Sequence, residues 1–90
     1  MTAVTLIGKA DCHLCDVARE IVDKTIADLP DDVAGAIDVT ELSILDDPAL
    51  HEAWWEKIPV VLIDDRLHTH WRVSADRLRA ALLDAHRSDA

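Results

Sequence analysis

Cys12 and Cys15 are the residues whose types and spacing most directly indicate chemistry in this chain of 90 residues. A C-x-x-C pair can hold a metal ion, close a structural disulfide or exchange electrons with another disulfide. The chain has two cysteines in all, so it lacks a second pair for a four-sulfur zinc site or for a disulfide framework. The cysteine count therefore favours redox chemistry and leaves the other two possibilities open.

Histidines supply the alternative metal ligands. His13 lies between the cysteines, His51 lies in the middle of the chain, and His68 and His70 are two residues apart. Residues at that spacing on a strand point to the same face, so a joint Cys-His zinc site is an alternative hypothesis. Strand histidines at this spacing more often form a solvated face. We therefore assign no metal ligand and keep this site as a lower-ranked alternative.

The elements that must position the cysteines can be read from apolar periodicity. The run 4–7 is apolar and β-branched and ends at Gly8, which predicts a buried strand. From the C-x-x-C motif onward, apolar residues recur at spacings of three and four, which predicts a helix ending before Pro30. Asp11 is its predicted N-cap. The motif therefore lies where the first strand leads into the first helix.

The rest of the chain continues an alternating pattern of strands and helices. Alternating or apolar runs predict strands, and Asp47 and Ser74 are predicted N-caps of two more helices. The Asp64-Asp65 pair is a plausible tight turn between two strands. The predicted elements are strands at 36–40, 60–63 and 67–71, a short helix at 48–55 and a final helix after Ser74. This order predicts one α/β domain spanning residues 1–90.

Charge excludes some classes of partner. Eighteen acidic and nine basic residues give a formal charge of −9. Such a chain repels phosphate backbones and anionic lipid, so we expect neither a nucleic acid nor a membrane partner. The chain shows neither a run of apolar residues long enough to span a bilayer nor the pattern of a secretory signal. We expect a cytoplasmic monomer.

Two segments resemble the glutaredoxin-like proteins of the thioredoxin fold. The first is "GKADCHLC", with Lys9 three residues before Cys12, and the second is "KIPVVLID". The resemblance covers nearly the whole chain. It implies a thioredoxin-like fold with a four-stranded mixed sheet in the order 2-1-3-4, flanked by three helices. It also implies that Pro59 has a cis peptide bond and faces the dithiol.

The chain departs from the family pattern in two places. The residues between the cysteines are His13 and Leu14, where the family commonly has Pro-Tyr. The stretch "HTHWRVSAD" stands where typical glutaredoxins carry Gly-Gly and an acidic residue that help to bind glutathione. No cofactor is implied, and glutathione is an open co-substrate. Asp76 is the residue that would meet a glutathione amine.

The resemblance implies roles for both cysteines. Cys12 would be the nucleophile, because the start of a helix favours a thiolate, and Cys15 would be the resolving thiol one turn later. Lys9 and a protonated His13 would favour the thiolate further. The expected activity is reduction or exchange of disulfides in proteins or in low-molecular-weight thiols.

Substrate contacts are expected on the other side of the cleft. The Ile58 backbone would pair with an extended substrate beside Pro59, and Lys57 would join Lys9 in attracting a substrate carboxylate. The alternative from another class is a non-catalytic binding module that holds a peptide or a metal beside Pro59. Thiol reactivity separates the two, because a catalytic protein should alkylate faster at Cys12 than at Cys15.

Overall fold

A computed structural model describes residues 1–89, within which a central sheet is packed between helices on both faces. The strands are β1 (Thr2–Gly8), β2 (Ile37–Ser43), β3 (Val60–Ile63) and β4 (Arg66–His70). The helices are α1 (His13–Ala27), α2 (Asp31–Ala34), α3 (Pro48–Trp54) and α4 (Ala75–Asp89). None of the helices among these residues is long and apolar enough to cross a bilayer.

The sheet has the order β2-β1-β3-β4. Strands β1 and β2 are parallel, whereas β1 pairs with β3 and β3 with β4 in antiparallel fashion. The parallel pair needs a crossover, and α1 supplies it. This mixed sheet confirms the predicted order 2-1-3-4.

The core is divided by the sheet into two layers. Alternate residues of β1 point to opposite faces, so Val4 and Leu6 pack on one side and Ile7 on the other. In the larger layer, Val4 and Leu6 pack against α1 and α4. Leu78 and Leu82 of α4 are fully buried there. The smaller layer joins Ile7 to β3 and to the apolar side of α3. Both longer helices thus cover one face, and α3 covers the other.

Four helices are present within residues 1–89, so the predicted number of three is wrong. The extra helix, α2, is a single turn in the segment "PDDVAG", whose composition indicated only a turn. Val33 anchors it, because this side chain is buried in the larger core layer. A helix this short depends on tertiary packing, which local sequence does not reveal.

Other local predictions agree with the structure. The Asp47 carboxylate accepts a hydrogen bond from the Ala49 N–H at 2.9 Å, and the Ser74 hydroxyl accepts one from the Arg77 N–H at 3.4 Å. Asp64 and Asp65 both have positive φ, as a tight two-residue hairpin turn requires.

Strand β2 extends three residues beyond the predicted end because its pairing with β1 continues to Ser43.

Candidate functional site

Cys12, and not Asp11, is the N-cap of α1. Its backbone is extended, and its sulfur accepts a hydrogen bond from the Cys15 N–H at 3.2 Å. Asp11 precedes the cap with φ at 59° and so forms the turn that leads the chain into the helix. The predicted Asp11 cap is therefore wrong, because the sulfur occupies the position of the capping acceptor.

The Cys12 sulfur is held at the start of α1 by the hydrogen bond that it accepts from the Cys15 N–H. Cys12 is partly exposed, so another sulfur atom can approach it. Both cysteines are free thiols in the structure. Cys12 therefore has the surroundings of a nucleophile.

Cys15 has the opposite environment. Only 3% of its surface is exposed, and its sulfur packs against Gly8 at the end of β1. Burial raises the pKa of the Cys15 thiol to about 11, and the hydrogen bond and charge of Cys12 act in the same direction. A hydrogen bond with the Lys9 backbone opposes this shift. Cys15 is thus a buried, protonated thiol directly behind an accessible one.

This contrast predicts different labelling profiles for the two cysteines. Alkylation of Cys15 should stay slow at neutral pH and accelerate as the pH rises toward 11, because the thiolate is the reactive form and the pKa is about 11. Cys12 should react first at neutral pH. Mass spectrometry of peptides after timed alkylation between pH 6 and pH 10 measures both rates. Equal rates at pH 7 would contradict the assigned environments.

Pro59 lies beside the cysteine loop across the sheet. Ile7 of β1 is paired with Val60 of β3, and the next residues in this antiparallel register are Gly8 and Pro59. Pro59 is buried, and the Ile58–Pro59 peptide bond is cis. Because Gly8 also contacts the sulfur of Cys15, the cysteine loop and Pro59 meet at one end of the sheet.

Trp71 is part of the same end of the sheet, although the sequence did not single it out. Its N–H donates to the Pro59 carbonyl at 2.9 Å, and its indole Nε1–H donates to the Glu56 carbonyl at 2.7 Å. The residue has φ at 66°, which is uncommon for a bulky side chain, and 54% of its surface is exposed. The strand predicted at 67–71 included Trp71, whereas β4 ends at His70.

The remaining predicted substrate-binding residues are spread along this end of the molecule. Lys9 and His13 are exposed on either side of the cap. The ammonium group of Lys57 lies 5.9 Å from the centre of the Trp54 ring, which draws it toward α3. Ile58 is half-buried against the smaller core layer.

Asp76 is separate from this group. It lies exposed in the first turn of α4. Within the described residues its carboxylate forms neither a hydrogen bond nor an ion pair with the cysteine loop. The structure thus brings the two cysteines and Lys9 together, with Pro59 at the same end of the sheet, and leaves Asp76 outside these contacts.

A cavity of about 460 Å³ opens on the β2 side of Cys15. Lys9 and Cys15 line it together with Arg19, which donates to Glu41 at 2.7 Å and to Asp16 at 3.3 Å. The ion pairs occupy the Arg19 guanidinium. Within residues 1–89, no group of three or more His, Cys, Asp or Glu side chains is arranged to hold a metal ion.

Comparison with solved structures identifies similar folds. The target protein XcR50 from X. campestris is 34% identical, with a TM-score of 0.68 over 91% of this chain and 96% of that one. A structure described as that of a malarial protein has a TM-score of 0.65 at 15% identity, over 96% of this chain and 97% of that one. Both comparisons support the thioredoxin-like architecture.

Sequence comparison identifies relatives in mycobacteria. The uncharacterized proteins Rv0508 of Mycobacterium tuberculosis and Mb0520 of Mycobacterium bovis are each 34% identical over 77 residues, covering 86% of this chain and 78% of each relative. The Glutaredoxin-like domain family (DUF836) matches residues 3–83. Together with the C-x-x-C motif at the start of α1, this match shows that the chain belongs to the glutaredoxin-like domain family.

Proposed function

We propose that the protein is a thiol-disulfide oxidoreductase in which Cys12 is the nucleophile and Cys15 the resolving thiol. The observation that carries this proposal is the contrast within the pair. The sulfur of Cys12 is partly exposed and accepts the Cys15 N–H, whereas Cys15 is buried with a pKa raised to about 11. Membership of the glutaredoxin-like family supports redox chemistry of this kind.

The reaction proceeds by two exchanges. The Cys12 thiolate attacks a substrate disulfide, so that a Cys12–substrate disulfide forms and one substrate thiolate leaves. Cys15 then loses its proton and attacks the Cys12 sulfur, which expels the second substrate thiolate. The substrate gains two electrons, and the pair ends as a Cys12–Cys15 disulfide. An external thiol, in the form of a protein dithiol or a low-molecular-weight thiol such as glutathione, restores the reduced pair.

The second step suits a buried resolving thiol. At neutral pH Cys15 is protonated, so it does not compete with Cys12 for incoming disulfides. Once Cys12 is part of a mixed disulfide, it carries no thiolate charge, which removes one of the influences that raise the Cys15 pKa. Cys15 therefore ionises more readily after the first exchange than before it.

Substrate binding is proposed at the end of the sheet formed by the cysteine loop and Pro59. The Ile58 backbone there is available to an extended substrate, Lys9 and Lys57 supply positive charge for a carboxylate, and His13 is a further proposed contact. Asp76 is the proposed contact for the amine of a glutathione substrate. The proposed setting is the cytoplasm, where thiols are kept reduced and a dithiol can cycle.

The Cys15→Ser variant tests the two-step mechanism. It should still attack disulfides but accumulate as a mixed disulfide, because no thiol remains to resolve it. Intact-mass measurement after incubation with a disulfide-bonded peptide should show one peptide attached to the variant, and the parent should instead lose the mass of two hydrogen atoms, because two protons and two electrons leave as its own disulfide forms. Turnover of the variant at the parent's rate would contradict the assigned role of Cys15.

A redox titration separates the proposed activity from the non-catalytic alternative. The parent is equilibrated in glutathione buffers and in dithiothreitol buffers, trapped by alkylation and weighed. A single two-electron transition is expected. A pair that stays reduced in every buffer would instead support a binding module that uses the surface beside Pro59.

A further inference from the structure

Positive charge is concentrated in one short segment of this acidic chain. Residues 66–79 hold four of the nine basic residues but one of the 18 acidic ones. The segment runs through β4, the following loop and the first turn of α4. The rest of the chain is strongly acidic, so this part of the surface has the opposite sign from its surroundings. Such segregation favours an anionic ligand.

A cavity of about 210 Å³ lies within this segment, between the edge strand β4 and the start of α4. Its charged lining side chains are Arg72 and Arg77, and the acidic residue of the segment, Asp76, does not line it. His68 and the hydroxyl-bearing residues Thr69 and Ser74 supply further polar groups. The lining therefore combines two permanent positive charges with the Ser74 hydroxyl and the His68 imidazole, polar groups that an oxyanion can contact.

Within the described residues, the two guanidinium groups are not paired with carboxylates. Among residues 1–89, neither Arg72 nor Arg77 forms an ion pair, whereas Arg19 and Arg87 are both paired with carboxylates. The loop that carries Arg72 is held in place, because the Thr69 hydroxyl donates to the Arg72 carbonyl at 2.8 Å. This loop and the first turn of α4 therefore bring Arg72 and Arg77 to one cavity, and no carboxylate is among its lining residues.

His68 reports on the charge inside the cavity. Burial lowers the pKa of its half-buried imidazole, and the positive charge of Arg77 lowers it further. Arg77 thus acts on the histidine without an intervening carboxylate to cancel its charge. An anion bound between them would have the opposite influence and favour the protonated imidazole.

We propose that this cavity is an oxyanion site that binds a phosphate group through Arg72 and Arg77, with His68 and Ser74 beside them. The planar fork of a guanidinium matches the paired oxygens of phosphate. The cavity of about 210 Å³ has room for a phosphate group. The site does not depend on the cysteine pair or on the proposed redox function.

Nuclear magnetic resonance of His68 provides the test. The pKa of His68 is measured in the parent protein in chloride, in inorganic phosphate and in phenyl phosphate, at one ionic strength. Saturable binding with a rise in the His68 pKa is expected. Tighter binding of phenyl phosphate would identify the ligand as a phosphate monoester, whereas tighter binding of inorganic phosphate would identify the free ion. Absence of saturable binding of both would overturn the proposal.

Three variants distinguish binding at this cavity from a general effect of positive charge in the segment. Arg77→Gln and Arg72→Gln should each weaken phosphate binding at least tenfold. Arg66→Gln removes the same charge from the same segment but lies outside the cavity lining, so it should change the affinity less than twofold. Equal weakening by all three variants would overturn the site. Circular dichroism of each variant confirms that the fold is kept.

Discussion

Replacing Cys12 with serine should lower the rate of disulfide reduction at pH 7 to no more than the rate of a buried, largely protonated Cys15. With a pKa of about 11, only about one Cys15 thiol in 10⁴ is ionised at that pH. An unperturbed cysteine with a pKa of about 8.5 is ionised to about 3%. The deficit in thiolate is therefore roughly 300-fold.

Greater basicity compensates for only part of that deficit. Nucleophilicity rises with thiol pKa with a Brønsted coefficient of about 0.4–0.5, so about 2.5 units yield roughly a tenfold gain. Cys15 should therefore react about 20 to 30 times more slowly than an unperturbed cysteine, even before its burial hinders access. The shift persists in the variant because its largest cause is desolvation, which Cys12→Ser leaves in place.

The release of thiol from a small aromatic disulfide at pH 7 measures this rate. Cys15→Ser is the matched control, since it removes the other sulfur but keeps the cap at the start of α1. The control should keep its first-turnover rate within a few-fold of the parent. If Cys12→Ser were the faster of the two variants, the roles of nucleophile and resolving thiol would be reversed.

Apolar periodicity predicted the secondary structure well where burial dictates it. The β1 run is buried against core layers on both faces of the sheet, and the helix that begins at the motif faces the larger layer, so both patterns show in the sequence. The sheet order came from the family resemblance. The short helix α2 was missed because Val33 holds it against the larger core layer, a contact between segments distant in the chain.

Sequence patterns did not predict the backbone geometry at the site. Asp11 is a good N-cap residue by type, but its positive φ moves the cap one position along, to Cys12. Trp71 also has a positive φ, and hydrogen bonds to Pro59 and Glu56 hold it there. The Trp71 conformation depends on contacts with residues distant in the chain, which a local pattern does not record.

The grouping of charges illustrates the same limit. A total of −9 predicted a surface that repels anions, and the total is correct. The total charge does not show that Arg72 and Arg77 line one cavity, because they belong to a loop and a helix that meet only in the fold. Likewise, the contact of Gly8 with the Cys15 sulfur follows from how α1 packs against the end of β1.

Gly8→Ala should lower the free energy of unfolding by about 1–3 kcal/mol, the usual range for overpacking a buried site. A Cβ at Gly8 would lie 2.9 Å from the sulfur of Cys15 and 3.1 Å from its Cβ. Cys15 is buried and carries the first turn of α1, so its side chain must move for the methyl group to fit. Urea unfolding followed by circular dichroism measures the change.

Gly35→Ala is the matched control, since Gly35 is the other glycine of the chain. It has an ordinary helical φ of −67°, and its added Cβ would meet one carbonyl oxygen, that of Asp31, at 3.1 Å. Both substitutions reduce the entropy of the unfolded chain equally. Gly35→Ala should therefore change stability by less than about 1 kcal/mol, and the difference between the variants isolates the contact with Cys15.

A double-mutant cycle with Cys15→Ala identifies that contact as the cause. Removing the sulfur eliminates the 2.9 Å contact. Cys15→Ala should therefore lower the free energy of unfolding by less in the Gly8→Ala background than in the parent. A coupling of about 0.5–3 kcal/mol is the usual range for residues in contact. Additive effects would mean that Gly8→Ala acts elsewhere. The position of the resolving sulfur would then not depend on the absence of a side chain at the end of β1.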